Sequence, residues 1–316
     1  MPTTTLDAAV YDLTQSLWGP LVLAARAAGD AAPVPPPVLL QLRAGLAESP
    51  GWFLVQAEEF DPVPLSVENL RMRDIYASER IVQALLELMA SEQWLRREGG
   101  AYYLTDAGRT LRQKAVQRLL DGFARVESLP VADLERLARH FDRLITASLQ
   151  SAQPPGVWSL AHSRRRAPAG DAPLLAHIFQ YVADFNAFRD DAHMAAWQPL
   201  QLDGRTWECF ALVASGAAAS ADEIFRQIPH RGYASEDYAA ALADLAQRGW
   251  LEEHDMHRYR LTAQGRRVVG EVEQRTNSYF YEPWSCLSEQ EIADLPTLIV
   301  QLRDALQAVA QAGSSI

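Results

Sequence analysis

Arg80 and Gln83 have side chains whose chemistry can be named from the sequence. Arginine can donate two hydrogen bonds to guanine, and glutamine can pair with adenine, in the major groove of DNA. Both residues follow Ser78, a good helix N-cap, in a segment whose apolar residues recur with a helical period. The spacing predicts a helix with Arg80 and Gln83 on its outer face, where they contact DNA or remain solvated.

Further cationic residues flank this helix. Residues 66–125 contain ten Arg or Lys against eight Asp or Glu, whereas the whole chain carries a net charge of −11. A polyanion partner therefore requires that the acid excess be concentrated elsewhere in the chain. The residues predicted to contact DNA are Arg71, Arg73, Ser78, Arg80, Gln83, Arg96 and Arg97.

The elements that must position these residues occur twice. The tetrapeptide Tyr-Ala-Ser-Glu stands at residues 76–79 and again at 233–236. A Leu-Thr-x-x-Gly-Arg motif follows each copy at the same distance, at residues 104–109 and 261–266. A shared repeat of about 110 residues is too long for a solenoid period, and it indicates a duplicated domain.

Each repeat has the same order of predicted elements. A short helix and a turn precede the helix that begins near Ser78, and Gly99-Gly100 then splits two short β-prone runs. A long helix follows the hairpin. The predicted fold is mainly α with small β-hairpin wings, in which two winged helix-turn-helix domains are joined by long helices in an intramolecular pseudo-dimer.

In this element order, with Leu-Thr-x-x-Gly-Arg closing the hairpin, the chain resembles the MarR family of bacterial transcriptional regulators. The resemblance covers about residues 60–150 and 205–310. It implies a geometry with two recognition helices and often a small ligand bound near a helical dimer interface. The Asp-x-Arg element of the longer MarR wing is missing from both copies.

The two copies differ in charge at matched positions. Residues 223–282 contain eight Arg against ten Asp or Glu. Arg80, Gln83 and Glu87 of the first copy correspond to Asp237, Ala240 and Asp244, and Arg96-Arg97 corresponds to Glu252-Glu253. Because acidic side chains repel phosphates, we expect the first copy to make the DNA contacts.

A second candidate site involves polar and aromatic residues of the C-terminal half. Asp190, His193 and Trp197 share one face of a helix predicted at residues 173–197. Tyr279, Tyr281 and Trp284 could line a ligand pocket beside them. A His–Asp hydrogen bond that joins two helices, and aromatic packing at a helix junction, would explain the same residues.

The remaining segments suggest a domain organisation. Residues 1–150 are expected to hold an N-terminal helix at 6–28, a stiff proline-rich connection at 32–37 and the first copy. Residues 151–172 are expected to form a linker, in which Arg164-Arg165-Arg166 is either a flexible basic arm or a solvated run. Residues 173–316 are expected to hold a helix and the second copy.

Several classes of function lack support in the sequence. It contains none of the common catalytic motifs, and Cys209 and Cys286 are too few and too far apart for a disulfide framework or a thiolate zinc site. We therefore expect no enzyme activity, no cofactor and no metal. No segment has the roughly 20 apolar residues of a membrane span, and the N-terminus lacks a basic start, which favours the cytoplasm.

These observations predict a DNA-binding transcriptional regulator. Its expected partners are double-stranded DNA and a small-molecule effector, with no membrane, and it is either a monomer with an internal pseudo-dimer or a homodimer. The alternative is a tandem winged-helix scaffold for protein interactions that does not bind DNA specifically. The arrangement of Arg71, Arg73, Arg80, Arg96 and Arg97 relative to Glu79, Glu87 and Glu92 distinguishes the two.

Overall fold

The computed structural model describes residues 9–29 and 50–313 of the chain. Its helices, in chain order, are α1 (Ala9–Gln15), α2 (Trp18–Ala28), α3 (Pro50–Phe60), α4 (Val67–Arg73), α5 (Glu79–Ser91), α6 (Asp106–Arg125), α7 (Val131–Gln150), α8 (Trp158–Arg164), α9 (Leu174–Trp197), α10 (Gly204–Ala214), α11 (Ala221–Gln227), α12 (Ser235–Gln247), α13 (Ala263–Tyr281) and α14 (Glu289–Gly313). The predicted connection at 32–37 and residues 6–8 of the predicted first helix lie outside the described residues.

Two small antiparallel hairpins accompany the helices. Strand β1 (Leu95–Glu98) pairs with β2 (Ala101–Leu104), and β3 (Leu251–Asp255) pairs with β4 (Arg258–Leu261). Gly99 and Gly100 turn the first hairpin with φ values of 55° and 90°, which glycine adopts without steric penalty. The described chain is thus mainly helical with two hairpins, which confirms the predicted fold class at this level.

The chain folds into two compact units, each built from separate segments. The described residues of the first, the bundle unit, lie within 1–34, 113–192 and 276–316; those of the second, the helix-turn-helix unit, lie within 35–112 and 193–275. Both units draw on both halves of the chain, so this grouping differs from a division near residue 150. Helices α6, α9 and α13 each contribute residues to both units.

The bundle unit is a set of helices around an apolar core. Helix α2 packs along α14, and Gly122 of α6 lies so close to Ala25 that an added Cβ would stand 2.2 Å from the Ala25 carbonyl oxygen. Phe141 and Leu144 of α7 and Phe185 of α9 are almost fully buried in this core. Burying each such side chain stabilises the fold by about 1.5–3 kcal/mol.

The helix-turn-helix unit contains two segments with the same order of elements. Helices α4 and α5 are followed by β1, β2 and α6, and helices α11 and α12 are followed by β3, β4 and α13. The predicted order of a helix followed by a hairpin is therefore confirmed in both segments. In the described part of the chain, no helix is long and apolar enough to cross a membrane.

Candidate nucleic-acid interface

Helices α4 and α5 form the first helix-turn-helix motif. Ser66 begins α4 with a capping box, in which it exchanges hydrogen bonds with Asn69. Ser78 is the N-cap of α5, as predicted, and its hydroxyl accepts a hydrogen bond from the Ile81 amide at 3.2 Å. Val82, Leu85, Leu86 and Met89 are buried, which leaves Arg80 exposed on the opposite side.

Helices α11 and α12 form the second helix-turn-helix motif. Ser220 caps α11, and the Asp237 carboxylate accepts a hydrogen bond from the Ala234 amide at the start of α12. The buried side of α12 carries Tyr238, Leu242 and Leu245. The outward side of α12 carries the exposed residues Glu236, Ala239, Ala240, Ala243 and Gln247.

The Leu-Thr-x-x-Gly-Arg motif is a structural joint in both motifs. In the first, the Thr105 hydroxyl donates to the Gln93 carbonyl oxygen at 2.6 Å and accepts from the Gly108 amide at 3.1 Å. In the second, Thr262 donates to Gly249 at 2.6 Å and accepts from Gly265 at 3.0 Å. The threonine thus fastens the start of the long helix to the chain that precedes the hairpin.

The glycine of this motif permits a close approach of backbone to backbone. A Cβ at Gly108 would lie 2.4 Å from the Trp94 carbonyl oxygen, and one at Gly265 would lie 2.1 Å from the Trp250 carbonyl oxygen. No side chain fits at these distances. The motif that carries the family resemblance therefore positions the hairpin.

The predicted DNA-contacting residues differ in exposure. Arg80, Arg96 and Arg97 are exposed, whereas the side chain of Arg73 is only 9% exposed and lies 3.6 Å from the buried Glu59 carboxylate. Arg71 is half-buried, with its Nη1 2.8 Å from Glu79. The structure therefore brings Arg80, Arg96 and Arg97 to the surface of the unit, and it holds Arg73 inside.

Gln83 takes part in a polar network below the hairpin. Its Nε2 donates to Glu87 Oε1 and to the Tyr102 hydroxyl, each at 2.8 Å. Glu87 Oε1 also accepts from the Tyr102 hydroxyl at 2.7 Å and from Arg97 Nη1 at 2.8 Å. Burial and the bond to Glu87 raise the pKa of Tyr102, so the phenol remains a donor. The network joins α5 to both strands of the hairpin.

The turns that precede α5 and α12 contact each other. The Ser78 amide donates to the Arg231 carbonyl oxygen at 2.8 Å, and the Ser78 hydroxyl donates to the Gly232 carbonyl oxygen at 3.1 Å. Arg80 Nη2 donates to the same Gly232 oxygen at 2.6 Å. The first turn of α5 therefore lies directly against residues 231–232.

An ion pair joins the same two turns. Arg231 Nη1 lies 3.1 Å from both carboxylate oxygens of Asp74, while Arg231 Nη2 contacts Glu208 at 2.8 Å. The Arg231 guanidinium also lies over the Tyr76 ring, 5.3 Å from its centroid. Burial raises the pKa of Glu208, although Arg231 acts in the opposite direction. We call these contacts between residues 74–80 and 231–233 the turn junction.

The sequence carried a signal for the turn junction that sequence reasoning missed. Asp74 and Arg231 are 157 residues apart, the same separation as the two Tyr-Ala-Ser-Glu tetrapeptides. The repeat by itself indicates a duplication. The structure shows that the repeated segments also touch.

One comparison with known proteins identifies the family. The model of a helix-turn-helix family matches residues 109–313, which is more than half of the chain. The chain belongs to this helix-turn-helix family. The match includes α11, α12 and the second hairpin, while α4 and α5 precede it. No curated protein and no solved structure matches the chain.

The residues predicted to form a ligand pocket are distributed over both units of this helix-turn-helix protein. His193 and Trp197 belong to the helix-turn-helix unit, where His193 Nε2 accepts a hydrogen bond from Trp207 Nε1 at 2.9 Å. Trp197 is fully buried and its ring lies parallel to that of Trp207, with centroids 5.7 Å apart. Trp207, which sequence reasoning did not select, is thus the partner of both residues.

The remaining predicted pocket residues lie in the bundle unit. Trp284 is buried against Phe280 and Tyr281, with ring centroids 6.1 and 5.2 Å away. Tyr279 is partly buried against the same core. Burial is the main cause of the raised pKa of Tyr11, and the negative charge of Asp190 raises this pKa further. Aromatic packing within the core therefore accounts for Tyr281 and Trp284.

The segment predicted as a linker contains helix α8. Its first amides, those of Ser159 and Leu160, donate to the buried carboxylate of Asp191 at 2.8 and 2.9 Å. Arg164 Nη1 pairs with the buried Asp184 at 2.8 Å, and burial raises the pKa of this carboxyl. The first arginine of the basic run is thus fixed to α9 within the bundle unit.

Proposed function

We propose that this helix-turn-helix protein is a DNA-binding transcriptional regulator that contacts double-stranded DNA mainly through its first motif. Membership of a helix-turn-helix family carries the DNA-binding part of the proposal, and the exposed charges of the two motifs carry the choice of the first motif. In such motifs the second helix enters the major groove and its N-terminal residues contact base edges. Helix α5 is that helix here, with Arg80 exposed in its first turn.

The proposed division of labour rests on the exposed charges of the two motifs. The first exposes Arg80 on α5 and Arg96 and Arg97 on β1. At the equivalent positions the second carries the half-buried Asp237 on α12 and the exposed Glu252 and Glu253 on β3. Cationic residues release counterions from DNA and strengthen binding, whereas acids at close range oppose it. The first motif is therefore the better surface for DNA.

We further propose that the two motifs are copies of one unit that pair as an internal pseudo-dimer. A two-fold interface uses the same patch on both partners, and residues that lie near the axis meet their own equivalents. Asp74 and Arg231 occupy equivalent positions of the repeat and form an ion pair. Two aspartates or two arginines at these positions would repel each other. An ion pair forms because one copy carries an aspartate there and the other carries an arginine.

A second candidate function is a scaffold for protein interactions. It is favoured by the ion pairs of the first motif, since Glu79 pairs with Arg71 and Glu87 pairs with Arg97, each at 2.8 Å. These acids partly neutralise the basic surface. Exposed pairs of this kind contribute only about 0–1 kcal/mol, so a phosphate can displace them. DNA binding therefore remains the function that the geometry supports best.

The test is an unbiased selection of duplex DNA by the purified full chain at low and at moderate salt. A regulator enriches a defined sequence that resists the increase in salt, because base contacts add to phosphate contacts. A chain in which Arg80 and Arg96 are both changed to alanine serves as the control. Enrichment by the control as strong as that by the natural chain would show that DNA is bound elsewhere than at the first motif, and no enrichment by either chain would favour the scaffold.

The predicted small-molecule effector is a further part of the proposal. Trp197 is buried and its indole Nε1 has no hydrogen-bond partner among the described residues, although a buried indole N–H usually has one. A small acceptor bound beside α9 would satisfy it. A ligand found by thermal-shift screening should lose its effect in Trp197→Phe, and an unchanged shift would place the ligand elsewhere.

A further inference from the structure

The first turn of α5 has two competing uses. Its Ser78 and Arg80 groups are those that a helix-turn-helix protein presents to phosphates and bases. In this structure the Ser78 amide, the Ser78 hydroxyl and Arg80 Nη2 all donate to carbonyl oxygens of residues 231 and 232. The same donors cannot serve both partners at once.

The space in front of this turn is also filled. A Cβ at Gly232 would lie 2.6 Å from Ser78 Oγ and 2.6 Å from Ile81 Cβ. The backbone at Gly232 is thus in van der Waals contact with the start of α5, and no room is left there for a sugar-phosphate chain. Gly232 also has φ +74°, a left-handed conformation that glycine adopts readily.

Ionic contacts hold residues 231–232 in this position. The side chains of Arg231, Asp74 and Glu208 are 15%, 15% and 16% exposed, so their attraction is screened less than that of a surface pair. Arg231 bonds both carboxylates and covers the Tyr76 ring. The Arg231 side chain therefore anchors the two carbonyl groups that lie against α5. One of these carbonyl groups belongs to Arg231 itself, and the other belongs to Gly232.

We propose that the turn junction is an autoinhibitory latch: residues 231–232 of the second motif occupy the DNA-reading end of α5, and DNA binds only when they move away. The latch rests on the proposed DNA-binding function and adds its regulation. It assigns the second motif, with its acidic surface, the role of a competitor for α5. A state that is closed for most of the time lowers the apparent affinity in proportion to the open fraction.

The latch is tested by opening it in two independent ways in the full chain. Gly232→Ala pushes the turn away from Ser78 and Ile81 by its new methyl group. Its matched control is Gly216→Ala, since Gly216 also has φ +74° but an added Cβ there has no atom of residues 9–29 or 50–313 within 4 Å. The control therefore reports the backbone strain alone.

The second way removes the ionic anchor. Arg231→Ala deletes one positive charge, so electrostatics alone predicts weaker DNA binding, whereas the latch predicts stronger binding. Arg226→Ala is its control, because the exposed Arg226 lies on α11 of the same motif and carries the same charge. Arg231→Ala leaves the buried Glu208 without its arginine and could prevent folding. In that case the comparison of Gly232→Ala with Gly216→Ala decides.

Two measurements separate the latch from the DNA function. Hydrogen exchange of the peptide that covers residues 74–82 reports opening without DNA, and fluorescence anisotropy with a random-sequence duplex pool reports affinity. We expect Gly232→Ala and Arg231→Ala to speed exchange and to raise affinity about tenfold. Gly216→Ala should change neither, and Arg226→Ala should not raise affinity.

The contrary outcomes are distinct. Faster exchange with unchanged or weaker DNA binding would overturn the latch and leave the DNA function intact. Unchanged exchange in folded opening variants would overturn the latch as well. Failure of the natural chain and of both opened variants to bind DNA at low salt would overturn the DNA function, and the latch with it.

Discussion

The two helix-turn-helix motifs share their internal joints and differ in their surfaces. Thr105 and Thr262 make corresponding hydrogen bonds, and Gly108 and Gly265 make corresponding close approaches. The outer side of α5 carries Arg80, whereas the equivalent residue of α12 is Asp237. The residues that hold the two motifs together are thus alike and those that face outward differ, so we expect any difference in function to lie on the surface.

The largest expected effect tests the shared joint. Gly108→Ala and Gly265→Ala should each lower the free energy of unfolding by about 3 kcal/mol, because the methyl group overlaps a tryptophan carbonyl oxygen. Thermal or denaturant unfolding measures the change. Gly270→Ala on α13 is the control, since nothing lies within 4 Å of its added Cβ, and it should stabilise by about 0.5–1 kcal/mol. A large loss at only one joint would mean that the two motifs are not built alike.

The next effect tests the difference in surface. Arg80→Ala should weaken binding to a selected operator by about 1–3 kcal/mol if Arg80 reads a base. The loss should fall in the lower part of that range, since the change also removes the competing bond from Arg80 to Gly232. Affinity measured on the operator and on a scrambled duplex separates the two contributions. An equal loss on both duplexes would show that Arg80 contacts phosphate only.

A smaller effect is expected at the hairpin. Arg96 is exposed, lies over the Tyr103 ring and pairs with Glu98, so it can turn to a phosphate without unfolding the strand. Arg96→Ala should weaken binding to all sequences alike and reduce the salt slope by about one unit. A salt titration measures both. An unchanged slope would mean that this hairpin does not contact DNA, in line with the absent Asp-x-Arg element.

The smallest effect is expected at the equivalent of Arg80. Asp237→Ala removes a like charge from the second motif, so DNA binding should stay the same or increase slightly. The expected increase in DNA affinity is small because the charge of Asp237 is already paired with Arg205 at 3.4 Å. Stability must be measured in parallel, since Asp237 also accepts a hydrogen bond from the Ala234 amide. A loss as large as that of Arg80→Ala would show that the two helices act symmetrically.

Sequence periodicity predicted the individual elements because their causes are local. The apolar spacing placed α5, although its buried side centres on Val82, Leu85, Leu86 and Met89, and Ile81 and Leu88 are only half-buried. Gly99 and Gly100 form the predicted turn, since two adjacent glycines permit positive φ values. Local signals of this kind also predicted the long helix α6 after the hairpin.

Contacts between distant residues were not predictable in the same way. Helix α8 lies inside the expected linker because its amides are capped by Asp191, 32 residues away from Ser159. Arg73 looked like a surface cation, yet Glu59 of α3 holds it inside the unit. The turn junction depends on two segments 157 residues apart that meet only in the folded chain.

The most direct test of a division of labour between the motifs compares two matched glutamates. Glu79 and Glu236 are the last residues of the two Tyr-Ala-Ser-Glu tetrapeptides, and both are exposed in the first turn of their helices. A photoreactive amino acid placed at either position can be cross-linked to a bound operator by irradiation. A strong DNA adduct from position 79 and little from position 236 is the predicted result. Equal adducts from both positions, or an adduct mainly from position 236, would contradict DNA reading by the first motif.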